Sequence, residues 1–289
     1  MIKANHLLTF AKVAELKNIS LAAEALHRSQ PAVSGQLKAL QESFTEPLYE
    51  RKGMGIELTE LGKALLPYAQ RQTKLLIDAE TFRLQIEHDQ VVTIKVGAST
   101  TIANYALPRL IAQFHKDYPM IKVDVLVGNT QKILNSLTSL DAAFVEGRVH
   151  GIKNTGYYPT AWKQDELIVI MPDNHPLAEV EEITLKSIYE YPLILREQGS
   201  GTREMIELAY KQRLDIEIKS VIELYSTESI KEAVRVGLGI ALVSKMAIET
   251  LPPTIQWRSL TEDDRIIRQL SMLLPDLGHN THWIRAFIR

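Results

Sequence analysis

Two groups of residues in this chain have types and spacings that could do chemistry. The first is Ser29-Gln30-Pro31-Ala32-Val33-Ser34-Gly35-Gln36-Leu37-Lys38, where Ser29, Gln30, Ser34, Gln36 and Lys38 lie outward of the apolar positions Val33, Leu37 and Leu40. In a major groove, Ser and Gln read base edges and Lys pairs with phosphate. The second group is scattered. Ser99-Thr100-Thr101, Gly128-Asn129-Thr130, Glu146-Gly147, Gly199-Ser200-Gly201-Thr202-Arg203 and Ser226-Thr227 follow successive apolar runs. Hydroxyls and free backbone N–H groups gathered at helix starts favour an anion. Taken singly, each set reads as a plain N-cap; five sets converging on one cleft are harder to assign to capping alone. Arg203 fits a carboxylate or phosphate clamp and fits a surface ion pair nearly as well. Glu146 suits a ligand hydroxyl or amine, or pairing with Arg148 or Arg203.

Other chemistry is not supported. The chain has no cysteine, which excludes disulfides, thiolate metal sites and a cysteine nucleophile. Its eight histidines form no His-Glu-x-x-His motif, and His279-x-x-His282 reads better as a solvated turn than as a metal site. Gly199-Ser200-Gly201 lacks the spacing of a phosphate-binding loop or a nucleophile elbow. No nucleophile, base and orienter can be named together, so neither an enzyme nor a cofactor is expected. Net charge is −2, and residues 1–70 hold eight Lys/Arg against seven Glu, a balance of +1. Attraction to DNA must therefore come from where cations stand, not from their excess. The start Met1-Ile2-Lys3 lacks the order of a secretion signal, and no apolar run approaches the roughly 18 residues of a membrane span. A cytoplasmic protein with no membrane partner is expected.

The elements that must position the first group are helices. Residues 5–16 place Leu7, Leu8, Phe10, Ala11, Val13, Ala14 and Leu16 on one face. Ser20 is a candidate N-cap for a second helix through Leu26, with Glu24 near a capping-box position and Ala22-Ala23 small enough for a tight crossing. Ser29 can cap a third helix with Pro31 in its first turn, where the missing N–H costs nothing. Leu48-Tyr49-Glu50-Arg51, a turn at Gly53-Met54-Gly55 and Ile56-Glu57-Leu58 read as a wing, with Arg51 and Lys52 at its tip. Periodicity alone favours an ordinary small helical bundle.

Residues Phe10, Val13-Ala14-Glu15, Ala22-Ala23-Glu24, Leu26-His27, Ser29 to Ser34, Pro47 to Arg51, Leu58-Thr59 and Gly62 closely resemble the DNA-binding region of LysR-type transcriptional regulators. Gly35 departs from that family, which usually carries a larger, often basic residue there; glycine weakens a helix by about 1 kcal/mol relative to alanine. The resemblance implies a mostly α, winged helix-turn-helix DNA-binding domain over residues 1–58, contacting DNA through Ser29, Gln30, Pro31, Ala32, Ser34, Gln36, Lys38, Arg51 and Lys52.

Residues 59–88 read as a long linker helix. Leu61, Leu65, Tyr68, Gln72, Leu75, Ala79, Phe82 and Ile86 step by four and three, a heptad seam spanning about 39 Å. Its other faces are polar (Gln70, Arg71, Lys74, Asp78, Glu80, Arg83), which favours pairing with a second chain over packing on its own domain.

From residue 91 the pattern alternates. Thr93–Ala98, Ile121–Val127, Ala142–Val145, Leu167–Ile170, Leu193–Leu195, Val221–Leu224 and Ile240–Val243 read as strands, with helices at Tyr105–Tyr118 and Thr130–Leu140. Two such series predict an α/β effector domain of two subdomains. It resembles the effector domain of the same family, similar to type 2 periplasmic binding proteins, and its Gly199 to Arg203 segment is similar to regulators of sulfur and carbon assimilation. The resemblance puts subdomain I at 91–163 and 265–289 and subdomain II at 164–264. Ligands of open α/β sheets sit beyond the strands' C-terminal ends, which selects Ser99, Thr100, Thr101, Asn129, Thr130, Glu146, Gly199, Ser200, Gly201, Thr202, Arg203 and Thr227. Implied partners are double-stranded promoter DNA, a small anionic effector, a second copy through the linker helix with tetramers above that, and RNA polymerase; activation or repression stays open. A solute-binding transport component is the competing reading, and an α/β enzyme the third. Absence of DNA affinity would favour the former, and turnover by residues 91–289 the latter.

Overall fold

The computed structural model of the protein describes residues 2–52, 55–88, 92–153, 155–218, 222–276 and 281–288. Their contacts divide into two units. One is Met1–Gln90 with Lys153–Gly156 and Asp276–His279; the other is Val91–Ile152, Tyr157–Pro275 and Asn280–Arg289.

In the first unit, α1 (Ala4–Leu16), α2 (Ile19–Ala25) and α3 (Gln30–Gln41) share one core of Phe10, Val13, Ala22, Ala23, Val33, Leu37 and Leu40. Ala22 has no exposed surface and Ala23 only 4%, as close helix crossing requires. The expected Ser20 cap is corrected: Asn18 is the N-cap, and its Oδ1 accepts from the Ser20 and Leu21 amides at 2.8 and 3.1 Å. Asn is as good an acceptor as Ser at that position, and the capping-box role for Glu24 falls with the shifted start. Ser29 does cap α3, accepting from the Ala32 amide at 3.4 Å, with Pro31 in the first turn. The wing forms as β1 (Tyr49–Lys52) paired antiparallel with β2 (Gly55–Leu58), Tyr49 opposite Leu58. Gly53 and Met54 of the expected turn lie outside the described residues.

The helix α4 (Glu60–His88) starts where the Thr59 hydroxyl accepts from the Gly62 amide at 3.1 Å and donates to the Pro47 carbonyl at 2.6 Å. A Cβ on Gly62 would stand 1.9 Å from the Leu48 carbonyl oxygen, so only glycine fits. The expected seam divides. Leu61 and Leu65 pack on the core of their own unit, beside the buried Ala69, because α1 covers these first turns. Tyr68, Leu75 and the off-seam Leu76 and Ile77 are exposed. The side chains of Phe82 and Ile86 lie outside the described set.

The second unit is built on a sheet ordered β10 (Ile255–Arg258), β6 (Tyr157–Pro172), β11 (Ile266–Pro275), β5 (Ala142–Glu146), β3 (Thr93–Ser99), β4 (Lys122–Gly128), with β9 (Ala241–Ser244) also on β6. β3 runs parallel to β4 and β5; β11 runs antiparallel to β5 and β6. β6 is far longer than the expected Leu167–Ile170, because Lys163 to Glu166 hide its first half among polar residues. It pairs with β11 from Tyr157 to Leu167, and Leu167–Ile170 then pair with β9. The crossing expected at Lys163-Gln164 thus lies inside one continuous strand. β10 and β11 were not expected.

The helix expected over Tyr105–Tyr118 is instead α5 (Thr100–Tyr105) and α6 (Leu107–Asp117), separated at Ala106. That expected over Thr130–Leu140 is α7 (Thr130–Asn135) followed by a 3-10 turn at Leu137–Ser139. Beyond the crossing, α8 (Leu185–Tyr189), β7 (Ile194–Arg196), α9 (Gly201–Leu214), β8 (Ile222–Leu224) and α10 (Thr227–Arg235) follow, and α11 (Thr281–Phe287) ends the chain. β7 is parallel to β8; Val221 of the expected strand lies outside the described residues. Buried residues on both sides of the crossing, such as Ile94, Val96, Phe144 and Leu270 on one and Val169, Leu195, Ile206 and Leu242 on the other, form separate clusters.

Candidate functional site

On the first unit, the outward side of α3 presents Gln30, Pro31, Ala32 and Lys38 to solvent, with Ser29 just before it and Ser34 half-buried. Gly35 has nothing within 4 Å of where a Cβ would stand, so the glycine is not required by packing. Gln36 is the exception among the expected readers. Its Oε1 accepts from the Thr9 hydroxyl at 2.5 Å and from Arg28 Nη1 at 2.7 Å, so it faces α1 and not the open side. The cause is rotational: Gln36 adjoins the buried Val33–Leu37–Leu40 stripe on a helix of about 3.6 residues per turn. Arg51 and Lys52 are exposed on β1, and Lys52 Nζ pairs with Glu57 at 2.9 Å. Arg28, which holds Gln36 there, was not among the expected site residues.

In the second unit the C-terminal ends of the parallel strands meet as expected of an open α/β fold. Thr100 Oγ1 donates to the Gly128 carbonyl at 3.1 Å and accepts from Arg196 Nη2 at 3.3 Å. Asn129 caps α7 through Oδ1, and its Nδ2 donates to the Gln198 carbonyl at 3.2 Å; the Gln131 amide donates to the Gly199 carbonyl at 3.1 Å. Thr130 Oγ1 donates to the Glu146 carbonyl at 2.9 Å, and Thr202 Oγ1 to Glu146 Oε1 at 3.2 Å. Both sides of the strand crossing therefore contribute to one polar floor. Gly199 (φ +83°) and Gly147 (φ +80°) adopt backbone that side chains rarely tolerate, and a Cβ on Gly201 would stand 2.0 Å from the Glu146 carbonyl oxygen. Thr227 is buried in the first turn of α10, whose Glu228 accepts from Tyr105 Oη at 2.6 Å. Burial and then Glu228 push the Tyr105 phenol far above its ordinary range, so it stays a donor.

Three donors here, Ser99 Oγ, Ser200 Oγ and Arg196 Nη1, are buried with neither a hydrogen bond nor an ion pair, whereas the buried Arg268 Nη2 lies 2.7 Å from Asp165 Oδ2. Buried polar groups are ordinarily hydrogen-bonded, and leaving one unmade costs about 1–3 kcal/mol. Arg196, at the end of β7, binds Glu197 through Nε at 2.8 Å and Nη2 at 2.9 Å. It was not among the expected site residues, although a charge ending the apolar run Leu193–Leu195 was a usable signal. Arg203 is corrected in the other direction. Its guanidinium is bound by Glu207 (2.7 Å), by Glu223 and by the Arg196 carbonyl (3.0 Å), so it is committed within the protein and not held out as a clamp. Glu146 pairs with neither Arg148 nor Arg203; Arg268 Nη2 lies 3.5 Å from its Oε2. Among the described residues no cluster of His, Asp or Glu has metal-ligand geometry, and no helix is long and apolar enough to cross a membrane.

Residues 4–63 match the model of the bacterial regulatory helix-turn-helix protein, lysR family, and residues 89–289 match the LysR substrate binding domain. The HTH-type transcriptional regulator YeiE of Escherichia coli is 34% identical over 293 residues, covering 99% of this chain and 96% of that protein. The HTH-type transcriptional activator CmpR of Synechocystis is 34% identical over 237 residues, covering 81% and 76%. Full-length OxyR from Pseudomonas aeruginosa superposes with a TM-score of 0.70 at 22% identity over 100% of this chain and 94% of that one, a likeness of fold.

Proposed function

Because this chain belongs to the LysR family of transcriptional regulators, we propose that it reads promoter DNA through α3 and its wing and answers to a small anionic metabolite. Gln30 and Ser34 read base edges from the major groove, while Lys38, Arg51 and Lys52 hold phosphate and fix register. Ser29, Pro31 and Ala32 bring the helix start against the duplex. Two chains pair through the exposed Tyr68, Leu75, Leu76 and Ile77 of α4, with dimers joining into tetramers, and the promoter-bound assembly meets RNA polymerase in the cytoplasm. Two recognition helices at fixed spacing then read a two-fold operator.

The observation that carries the anionic effector is the set of unpartnered buried donors Ser99 Oγ, Ser200 Oγ and Arg196 Nη1. An oxyanion among them completes their hydrogen bonds and lies near the N-terminus of α9, where the helix dipole favours negative charge. Thr100, Thr101, Asn129, Thr130, Gly199, Gly201, Thr202 and Thr227 shape the same cleft, with Glu146 as its floor and Arg196 in place of Arg203 as the cation. Binding, not turnover, is the unit's work. The ligand shifts the two subdomains only as far as it binds their two arrangements with different affinity.

Thermal-shift screening of the full chain against organic acids, sulfur oxyanions and phosphorylated sugars tests the effector. A stabilising anion whose effect is lost in Arg196→Met is the expected result; stabilisation by neutral or cationic compounds alone overturns it. For DNA, Gln30→Ala should relax base preference and Arg51→Ala should weaken all sequences alike. Equal loss across all sequences in both variants rejects the assigned roles.

A further inference from the structure

Arg28 differs from its cationic neighbours in what holds it. Lys12 pairs with Glu15 at 2.7 Å, Lys52 with Glu57 at 2.9 Å and Lys63 with Glu60 at 2.6 Å. Arg28, in the turn between α2 and α3, has no carboxylate partner among the described residues. Its Nη1 donates to Gln36 Oε1 at 2.7 Å, and that same oxygen takes the hydroxyl of the fully buried Thr9 at 2.5 Å. A guanidinium has donors only, so the carbonyl end of Gln36 must face it and the amide's orientation is fixed by chemistry.

A neutral anchor has a specific physical consequence. It restrains a long side chain, which removes rotamer freedom before any partner arrives, yet it leaves the full positive charge uncompensated. A carboxylate anchor would give the same restraint and cancel the charge. Arg28 also stands one residue before Ser29, the N-cap of α3, where the chain enters the helix that presents Gln30 and Pro31. Only one of its N–H groups is spent on Gln36, and the half-exposed side chain leaves others for an outside acceptor.

We propose that Arg28 is a phosphate-contacting residue of the DNA interface, and that Gln36, braced by Thr9, is the positioning residue that aims it. The assignment rests on the reading of α3 as the recognition helix. It also gives Gln36 a role although its acceptor is turned away from the bases.

The test measures binding of the full chain to a randomised duplex pool by fluorescence anisotropy across a fourfold range of KCl. Each phosphate contact contributes about 0.9 to the slope of log affinity against log salt. Arg28→Gln should therefore flatten the slope by about 0.9, so the wild-type advantage shrinks roughly 3.5-fold across that range. Arg28→Lys keeps the charge and should keep the slope. Gln36→Glu is the decisive variant: it strengthens the bond inside the protein but neutralises the guanidinium, and it should flatten the slope as Arg28→Gln does. A purely structural staple predicts the reverse, a stable Gln36→Glu protein with wild-type salt dependence. Should Arg28→Gln melt early, Gln36→Glu still decides. Wild-type slopes in both Arg28→Gln and Gln36→Glu overturn this assignment alone. A wild-type protein without salt-dependent DNA affinity, or an unchanged slope in Arg51→Ala, strikes the DNA reading instead.

Discussion

Arg268 on β11 stands directly opposite Asp165 on β6. Its Nε donates to Asp165 Oδ2 at 2.8 Å and its Nη1 to Thr202 Oγ1 at 2.8 Å, while Nη2 lies 3.5 Å from Glu146 Oε2. The other Asp165 oxygen accepts from Ser244 Oγ at 2.8 Å. One guanidinium thus serves two carboxylates, and all three side chains are closed to solvent. Arg268→Met keeps a side chain of similar reach and removes the only cation of the set. Breaking a buried pair from one side costs about 3–5 kcal/mol. For a unit of about 150–250 residues each kcal/mol is worth about 2–4 °C. Arg268→Met should therefore lower the second unit's melting temperature by about 6–20 °C, read by calorimetry of the full chain near neutral pH.

Replacing the whole set with Arg268→Met, Asp165→Leu and Glu146→Leu should recover most of the loss, since apolar substitutes for buried ion sets are often neutral or better. An Arg268→Met protein melting within about 2 °C of wild type refutes the reasoning.

Further expectations are local. Asn18→Ala should cost about 1 kcal/mol of first-unit stability by urea unfolding, while Ser20→Ala at the exposed first turn should cost little; the reverse order would restore Ser20 as the cap. Gly35→Ala should stabilise the same unit by about 1 kcal/mol, because the site is open and helical. Gly201→Ala, with its Cβ 2.0 Å from the Glu146 carbonyl oxygen, should instead separate β5 from α9 and abolish any effector-induced thermal shift. Burial holds the His175 imidazole below its ordinary pKa, and its Nδ1 accepts from the Leu177 amide at 3.2 Å. That contribution is present above about 6.5 and is lost as pH falls through the lower folded value. His175→Gln should accordingly show a smaller drop in melting temperature between neutral and mildly acid buffer than the wild type does.

The apolar frame was legible in the sequence because its signal is periodic. Val33, Leu37 and Leu40, or Ile94 and Val96, recur at the spacing of a helix face or a strand and bury where that spacing says. Strand ends were legible for the same reason, and Thr100, Asn129, Thr130, Glu146 and Thr202 hydrogen-bond around them. Polar alternation hid the rest. The first half of β6 carries Lys163, Gln164, Asp165 and Glu166, and a run of that composition reads as a loop until β11 appears beside it.

Charged and amide side chains were the harder part, and they failed for a common cause. Arg203, Gln36, Arg196 and Arg268 are each directed by a partner remote in sequence: Glu223, Thr9, Thr100 and Asp165. No local pattern announces such a pairing: the sequence offered no reading of Arg268, and for Arg203 it offered a carboxylate or phosphate clamp and a surface ion pair nearly alike. What does separate them is the element beneath. Arg196 ends a strand whose other residues are fully apolar, and Arg268 alternates inward with Ile266 and Leu270, which share its burial. A cation at an inward register position must be compensated from another element or by a ligand. Arg268 spends all three nitrogens on Asp165, Thr202 and Glu146, whereas Arg196, although paired with Glu197, keeps Nη1 buried with neither a hydrogen bond nor an ion pair. Arg268 is thereby used up in holding the fold, and the spare nitrogen of Arg196 is what supports an anion there.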